Sequence, residues 1–200
     1  MTEKTAQKEP GKKPVPSKKP KPQQEVVVQI PLSELHPFPD HPFQVREDAS
    51  MQETAESVKE YGVLVPALAR PREDGGYELI AGHRRKHACE LAGLATMPVI
   101  VRDIDRDAAT IIMVDSNLQR ENILPSERAK AYKMKMEAIK RQGARTDLTS
   151  PKISAKFRSD DEVGQDAGVS GDTIRNYIAL TQLVPELQQM VDEKKIALSP

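Results

Sequence analysis

Residues 79–88, which read LIAGHRRKHA, join a short apolar run to a glycine and two adjacent arginines. Gly82 allows the backbone to approach a ligand closely, and a helix that begins there offers free N–H groups in its first turn. Arg84 and Arg85 carry guanidinium groups, which bind phosphate oxygens through charge-assisted hydrogen bonds. These residue types at this spacing predict a phosphate-binding turn. Two solvated surface arginines are the alternative interpretation.

A second polar segment, residues 115–127 with the sequence DSNLQRENILPSE, lies between two apolar-periodic stretches. It resembles a nucleotide-binding motif of the ParB partition-protein family. Residues 41–46 (HPFQVR) and the turn at residues 62–66 (GVLVP) match further motifs of the ParB amino-terminal domain, in the same order. A helix-turn-helix pattern follows, as it does in that family. The resemblance covers about residues 25 to 200.

The resemblance implies a nucleotide site with CTP as the nucleotide. Asn117 matches a family asparagine that contacts phosphates, and Arg120 lies one helical turn further on the same face. Gln44 resembles a family residue near the triphosphate, where its amide could position a water for attack on the γ-phosphate; an ordinary loop glutamine is the alternative. The implied nucleotide-binding residues are Gln44, Arg46, Gly62, Val63, Pro66, Gly82, His83, Arg84, Arg85, Ser116, Asn117 and Arg120.

Two positions depart from the family pattern. His83 stands where the most familiar form of the arginine motif has Glu, and a surface histidine without a role is the alternative interpretation. Ser116 stands where family members that bind Mg²⁺ and hydrolyse CTP have Glu, and serine is a much poorer ligand for a hard cation. The sequence therefore leaves Mg²⁺ dependence and hydrolysis open. A weak CTPase with Gln44 as its catalytic residue is one possibility, and nucleotide binding without turnover is the other.

The composition narrows the class of protein. The chain is 30% charged and 38% hydrophobic with no Trp, so we expect a globular core of aliphatic residues, packed mostly between helices. No apolar run approaches the roughly 20 residues that cross a bilayer, which predicts a cytoplasmic protein without membrane contact. The family resemblance adds association with the nucleoid. Cys89, the only cysteine, is expected to be a small core residue and not a nucleophile.

Basic residues are unevenly distributed, although 30 Lys and Arg balance 30 Asp and Glu. Residues 1–24 contain seven lysines and much Pro, which predicts a disordered basic tail that either contacts DNA or only solubilises the chain. A predicted helix after Pro125 carries a second basic cluster. Its candidates for non-specific contact with DNA phosphates are Lys133, Lys140 and Arg141.

Residues 159–180 predict two short helices about a glycine turn, which is the pattern of a helix-turn-helix. The second helix would enter the major groove, where Arg reads guanine, Asn reads adenine, and Ser or Thr contacts phosphate. A helical hairpin used only for packing is the alternative. The candidates for DNA contact are Ser170, Gly171, Asp172, Thr173, Arg175 and Asn176.

The predicted fold class is α+β. A small ParB/sulfiredoxin-like nucleotide-binding domain is expected over residues 25–122, followed by an all-α DNA-binding domain over residues 123–200. Family members continue from such helices into a dimerisation domain, so we expect this sequence to be a truncated form. Strands are predicted at 26–30, 66–70, 77–81 and 98–102, and helices at 51–61, 84–91, 105–114 and 125–142.

As a whole, the resemblance implies a CTP-dependent DNA clamp that acts in segregation of a chromosome or mobile element. Its partners would be double-stranded DNA with a parS-like palindromic site, a second subunit in a homodimer, and a ParA-type ATPase. A nucleoid-occlusion protein or transcription regulator with the same domains is one alternative. A nuclease or phosphotransferase is another, but it needs a metal-binding carboxylate cluster, for which Asp115 and Glu121 are the acids near the motifs.

Overall fold

The computed structural model describes residues 25–120, 122–146 and 159–198. The predicted basic tail and Glu121 lie outside the described residues. Within them, every helix is too short or too polar to cross a lipid bilayer.

A five-stranded mixed sheet organises the amino-terminal half. In space its strands follow the order β1-β5-β3-β4-β2, so β1 and β2 form its edges. The β1–β5 and β3–β4 pairs are antiparallel, and the β3–β5 and β2–β4 pairs are parallel. The strands are β1 (Val27–Pro31), β2 (Leu35–Pro37), β3 (Ala67–Pro71), β4 (Tyr77–Ala81) and β5 (Thr96–Val101).

Alternation along the strands builds a core on each face of the sheet. Leu79 packs into the core under the first two helices, whereas its neighbour Ile80 packs into the core under the next two. These four helices are α1 (Ala49–Tyr61), α2 (His83–Leu91), α3 (Arg106–Leu118) and α4 (Pro125–Thr146).

Most predicted elements of this half are present within two residues at each end. The predicted end of α4 at Gln142 was wrong, because the helix continues through Gly143 to Thr146. Two further differences have physical reasons. The short strand β2 was not predicted, because three residues following a 3-10 turn at Leu32–Glu34 give no measurable alternation. The predicted end of α3 at Val114 was wrong. The helix continues to Leu118, because Asn117 is buried and finds a hydrogen-bond partner inside the helix, the carbonyl of Met113.

The carboxy-terminal half is helical and is organised around α4. Its other helices are α5 (Ser159–Ala167), α6 (Gly171–Leu180) and α7 (Pro185–Asp192). Ala131 of α4 packs into the core of the sheet, while the adjacent Tyr132 packs against Val163 of α5 and Ile174 of α6. Asp192 of α7 accepts the backbone N–H of Ser126 at 2.8 Å and so links the end of α7 to the first turn of α4. One helix is thus shared by the sheet and the helical half.

Candidate functional site

A cavity of about 350 Å³ opens between the loop before α1, the start of α2 and the connection from α3 to α4. Three arginines reach it from three separate parts of the chain: Arg46, Arg84 and Arg120. Guanidinium groups converging on one cavity form a site for a polyanion. The remaining lining residues are Phe43, Gln44, Asp48, Ser50, Asn122, Ile123 and Glu127.

Arg84 is held at the amino-terminal end of α1. Asp48 caps that helix by accepting the N–H of Met51 at 2.9 Å. The Nη2 atom of Arg84 lies 3.5 Å from Oδ1 of Asp48 and donates to Oγ of Ser50 at 3.3 Å. The positive end of the α1 dipole and the guanidinium therefore act together on the same part of the cavity.

Arg85 follows Arg84 in sequence but makes a different contact. Its Nη1 atom donates to the carbonyl of Pro66 at 2.6 Å and also to the carbonyl of Val65. Burial, aided by the charge of Arg120, lowers the pKa of Arg85. The structure thus brings Arg85 to the turn that contains Gly62, Val63 and Pro66, and none of these four residues lines the cavity.

Gly82 joins β4 to α2 in a conformation that requires glycine. Its φ is 110°, and a Cβ built there would lie 2.8 Å from Cβ of Ala67. The positive φ and the close approach of Ala67 therefore restrict this position to glycine, at the point where α2 leaves the sheet.

His83 packs against His41, a residue that the sequence interpretation had not singled out. Their ring centroids are 4.0 Å apart, and the Nδ1 atom of His41 donates to the carbonyl of Phe43 at 2.7 Å. Burial, followed by the proximity of His41 and Arg120, lowers the pKa of His83 to about 3. Burial also lowers the pKa of His41. Both rings are therefore neutral at neutral pH. The sequence signal for this pair was a histidine in each of two motifs, residues 41–46 and residues 79–88.

Ser116 and Asn117 lie on α3 but outside the cavity lining. Oγ of Ser116 donates to the carbonyl of Met113 at 3.0 Å, and Nδ2 of Asn117 donates to the same carbonyl at 2.8 Å. Asn117 is 3% exposed. Of the predicted nucleotide-binding residues, the cavity therefore unites Gln44, Arg46, Arg84 and Arg120.

Glu127 is a buried member of the cavity wall that sequence reasoning missed. Its carboxylate accepts the backbone N–H groups of Gln44 and Leu124, each at 3.2 Å, and lies 3.7 Å from Arg46. It therefore fastens the loop before α1 to the start of α4. Across the described ranges, no three His, Cys, Asp or Glu side chains are grouped so that they could hold a metal ion.

The helix-turn-helix pattern is present as α5, a turn at Gly168, and α6. Oγ of Ser170 accepts the N–H of Thr173 at 3.2 Å and caps α6. The guanidinium of Arg175 forms ion pairs with Asp160 and Asp172, which raise its pKa. Ser170, Asp172, Arg175 and Asn176 are exposed, Thr173 is half-buried and Gly171 is buried.

The basic candidates on α4 differ in their surroundings. Lys133 and Lys140 are exposed and seven residues apart, which places them on one face of the helix. Arg141 donates to Oδ1 of the buried Asp107 at 2.7 Å and lies 4.0 Å from Glu137. Its guanidinium thus serves to fasten α4 to α3.

Comparison with known proteins decides the family. The family model described as the ParB N-terminal domain matches residues 16–118, which is half of the chain. The chain belongs to the ParB N-terminal domain family. It is 36% identical to the chromosome-partitioning protein Spo0J of Thermus thermophilus, over 85% of this chain and 56% of that protein. It is 30% identical to a nucleoid occlusion protein of Halalkalibacterium halodurans, over 87% of this chain and 55% of that protein. The chain thus spans about half the length of these curated relatives.

The solved structures extend the likeness beyond the ParB N-terminal domain. The structure of C-terminally truncated ParB from Caulobacter crescentus, complexed to the centromeric parS site, superposes with a TM-score of 0.57 at 27% identity. The alignment covers 86% of this chain and 80% of that chain. The predicted α+β fold class, with helices following a ParB-type domain, is confirmed.

Cys89 of the ParB N-terminal domain lies on α2 and is fully buried in the core that α1 and α2 share with the sheet. Burial raises the pKa of its thiol, which keeps the sulfur protonated and unreactive. The structure therefore agrees with the expectation of a core residue.

Proposed function

We propose that this protein is a ParB-type DNA-partition protein, which binds CTP in the arginine-lined cavity and double-stranded DNA through α5 and α6. One observation carries the proposal: Arg46, Arg84 and Arg120 converge on a single cavity, in a chain of the ParB family that continues into a helix-turn-helix. A cavity of about 350 Å³ falls within the usual range for small-molecule sites. The family resemblance supplies the identity of the polyanion, a nucleoside triphosphate.

DNA as the partner is supported by the solved relative, which was crystallised with its parS site and aligns with 86% of this chain. A palindromic site would match the twofold symmetry of a dimer, in which two recognition helices read two half-sites. The homodimer, a ParA-type ATPase partner and association with the nucleoid belong to the same proposal. So does the division into a nucleotide-binding domain at 25–122 and a DNA-binding domain at 123–200.

The lining residues suggest how the chain would hold a triphosphate. Arg84 would bind phosphate oxygens at the amino-terminal end of α1. Arg46 and Arg120, on other walls of the cavity, would neutralise the remaining negative charge of the triphosphate. The two lining carboxylates are already engaged: Asp48 caps α1 and contacts Arg84, and Glu127 accepts two backbone N–H groups. Neither is available as a simple ligand for Mg²⁺. We therefore propose slow or absent CTP hydrolysis, with Gln44 as the catalytic residue of any residual turnover.

Calorimetric titration with CTP, ATP, GTP and UTP, each with and without Mg²⁺, tests the nucleotide site. We expect CTP to bind and the other three to bind much more weakly. Binding that persists without Mg²⁺ would agree with the engaged carboxylates. Equal affinities for all four nucleotides would remove CTP from the proposal, and no binding of any would remove the nucleotide site.

A nucleoid-occlusion role is a second candidate, favoured by the 30% identity to the nucleoid occlusion protein. The two functions differ in where the protein accumulates on DNA. Chromatin immunoprecipitation of the chain in its natural host separates them: a cluster of sites at one locus supports partition, and sites dispersed along the chromosome support nucleoid occlusion. No observation on the described residues favours a nuclease or phosphotransferase.

A further inference from the structure

Among the residues that the structure describes, Lys135 has the most deeply buried side chain of any Lys, Arg, Asp or Glu. It lies on α4 and is 1% exposed. Its Nζ donates to Oδ1 of Asp115 on α3 at 2.7 Å and to Oδ2 of Asp166 on α5 at 2.9 Å. Burial acts to lower the pKa of Lys135, but the hydrogen bonds to the two aspartates outweigh it and raise the pKa. The lysine is therefore charged and bonded to two different helices.

The two aspartates belong to the two halves whose functions are proposed above. Asp115 immediately precedes Ser116 and Asn117 of the nucleotide motif, and Arg120 of the cavity wall lies two residues beyond the end of α3. Asp166 is at the end of the first helix of the helix-turn-helix. A cavity of about 490 Å³, lined by both aspartates, lies at this junction. The ion pairs of Lys135 therefore bridge this junction beside a cleft that both aspartates line.

We propose that Lys135 is a positioning residue that couples α3 of the nucleotide-binding domain to the helix-turn-helix by holding Asp115 and Asp166 at the same time. A shift of α3 on nucleotide binding changes the hold on Asp115, and the shared ammonium passes that change to α5. Because coupling between two binding sites is reciprocal, DNA changes the affinity for the nucleotide by the same factor. This inference rests on the proposed CTP and DNA sites.

A ligand-free mutant cycle tests whether the bridge acts as one unit. Asp115→Asn and Asp166→Asn each leave the ammonium one carboxylate, so each alone should lower the melting temperature slightly. The double variant leaves a buried charge unpaired and should lower it by much more than the sum. In a Lys135→Met background the two substitutions should become additive. Additive effects in the native background would overturn the shared bridge.

A binding measurement tests the coupling itself. Fluorescence anisotropy gives the affinity for a parS-like duplex with and without CTP, and the ratio of the two values is the coupling factor. In Lys135→Met this ratio should fall to about one, because the bridge between α3 and α5 is removed. The two aspartates tolerate this loss, because they are 46% and 57% exposed and can be hydrated. Lys130→Met, an exposed lysine on the same helix, is the control and should keep the native ratio.

The two possible failures are distinguishable. If calorimetry detects no CTP binding to the native protein, the proposed function fails. If CTP and DNA both bind, but the ratio is one in the native protein or is unchanged in Lys135→Met, the coupling role of Lys135 fails and the proposed function stands.

Discussion

Arg84 and Arg85 show how two identical neighbouring residues acquire different tasks. A helix turns by about 100° per residue, so adjacent side chains cannot face the same cavity. Arg84 faces the cavity beside Asp48 and Ser50, whereas Arg85 donates to the carbonyls of the 62–66 turn. Sequence reasoning assigned both to phosphate, because the types and spacing are visible in a sequence but the direction of each guanidinium is not.

Substitutions of the two arginines are therefore expected to have different effects on CTP binding and on stability. Arg84→Ala should weaken CTP binding by about 1.5–3 kcal/mol, the range for a hydrogen bond to a charged group, with little loss of stability. Arg85→Ala leaves the carbonyls of Val65 and Pro66 without their donor, so it should lower the melting temperature as well. Calorimetry and thermal denaturation of both variants check this. Loss of CTP affinity in Arg85→Ala alone would contradict the assignment.

The buried His83 predicts a pH dependence of stability. In the unfolded chain its imidazole takes up a proton near pH 6.5, but in the folded protein the pKa is lowered to about 3. Between these two values the unfolded state binds more protons, so stability is lost as the pH falls from about 6.5 towards 3. His83→Gln should flatten this dependence. Urea denaturation at about pH 7 and about pH 5 measures this dependence. An equal loss of unfolding free energy between the two pH values in the native protein and in His83→Gln would count against the buried imidazole.

At the scale of elements, the junction between β4 and α2 depends on Gly82. Gly82→Ala combines a positive φ, which costs about 1–2 kcal/mol, with a contact of 2.8 Å to Ala67, where overpacking adds about 1–3 kcal/mol. Gly93 is the matched control, because its φ is +72° but nothing lies within 4 Å of an added Cβ. Gly93→Ala should therefore lose only the stability that the positive φ costs. Urea denaturation compares them. Ala67→Gly should recover part of the loss in Gly82→Ala and none in Gly93→Ala.

If α6 is the recognition helix, as proposed above, its variants should distinguish specific from non-specific DNA. Arg175→Ala should lose roughly 1–3 kcal/mol on the preferred site and little on random DNA, whereas Lys133→Ala should weaken both and reduce the salt slope by about one. Arg175 also has to give up or share its ion pairs with Asp160 and Asp172 when it contacts a base. Anisotropy titrations over a series of salt concentrations measure these effects. Equal losses of Arg175→Ala on both DNAs would refute its role in base recognition.

Periodicity and capping residues predicted most elements, because those signals are local. Asp105 caps α3, as its position predicted, and Gly62 ends α1 with a φ of 71°. The pairing of His41 with His83 and the contacts of Glu127 were not predictable in the same way. They depend on how a loop before α1 meets α2 and α4, and this is set by packing between distant segments.

At the scale of the whole molecule, α4 is the element that packs against both halves. Its successive residues Ala131 and Tyr132 belong to different cores, and Lys135 and Arg141 add ion pairs to α5 and α3. The sequence predicted α4 from its period and assigned it to the proposed DNA-binding domain, but it did not predict that α4 also packs on the sheet. A single-sequence pattern reports that a face is apolar, and it does not report which neighbour covers that face.

The pairing of β1 with β5 also has a consequence during protein synthesis. Val27 pairs with Ile100, and β1 has no other neighbour in the described sheet. At about 5–20 residues per second, a ribosome needs roughly 4–15 s to make the intervening chain. Throughout that interval, the apolar segment from Val26 to Ile30 emerges without its partner strand. The nascent chain therefore presents the Ile30 side chain and the unpaired backbone of this segment as a binding site for chaperones, whereas the finished sheet buries Ile30 and pairs that backbone with β5. Slow translation before residue 96 would prolong this exposure.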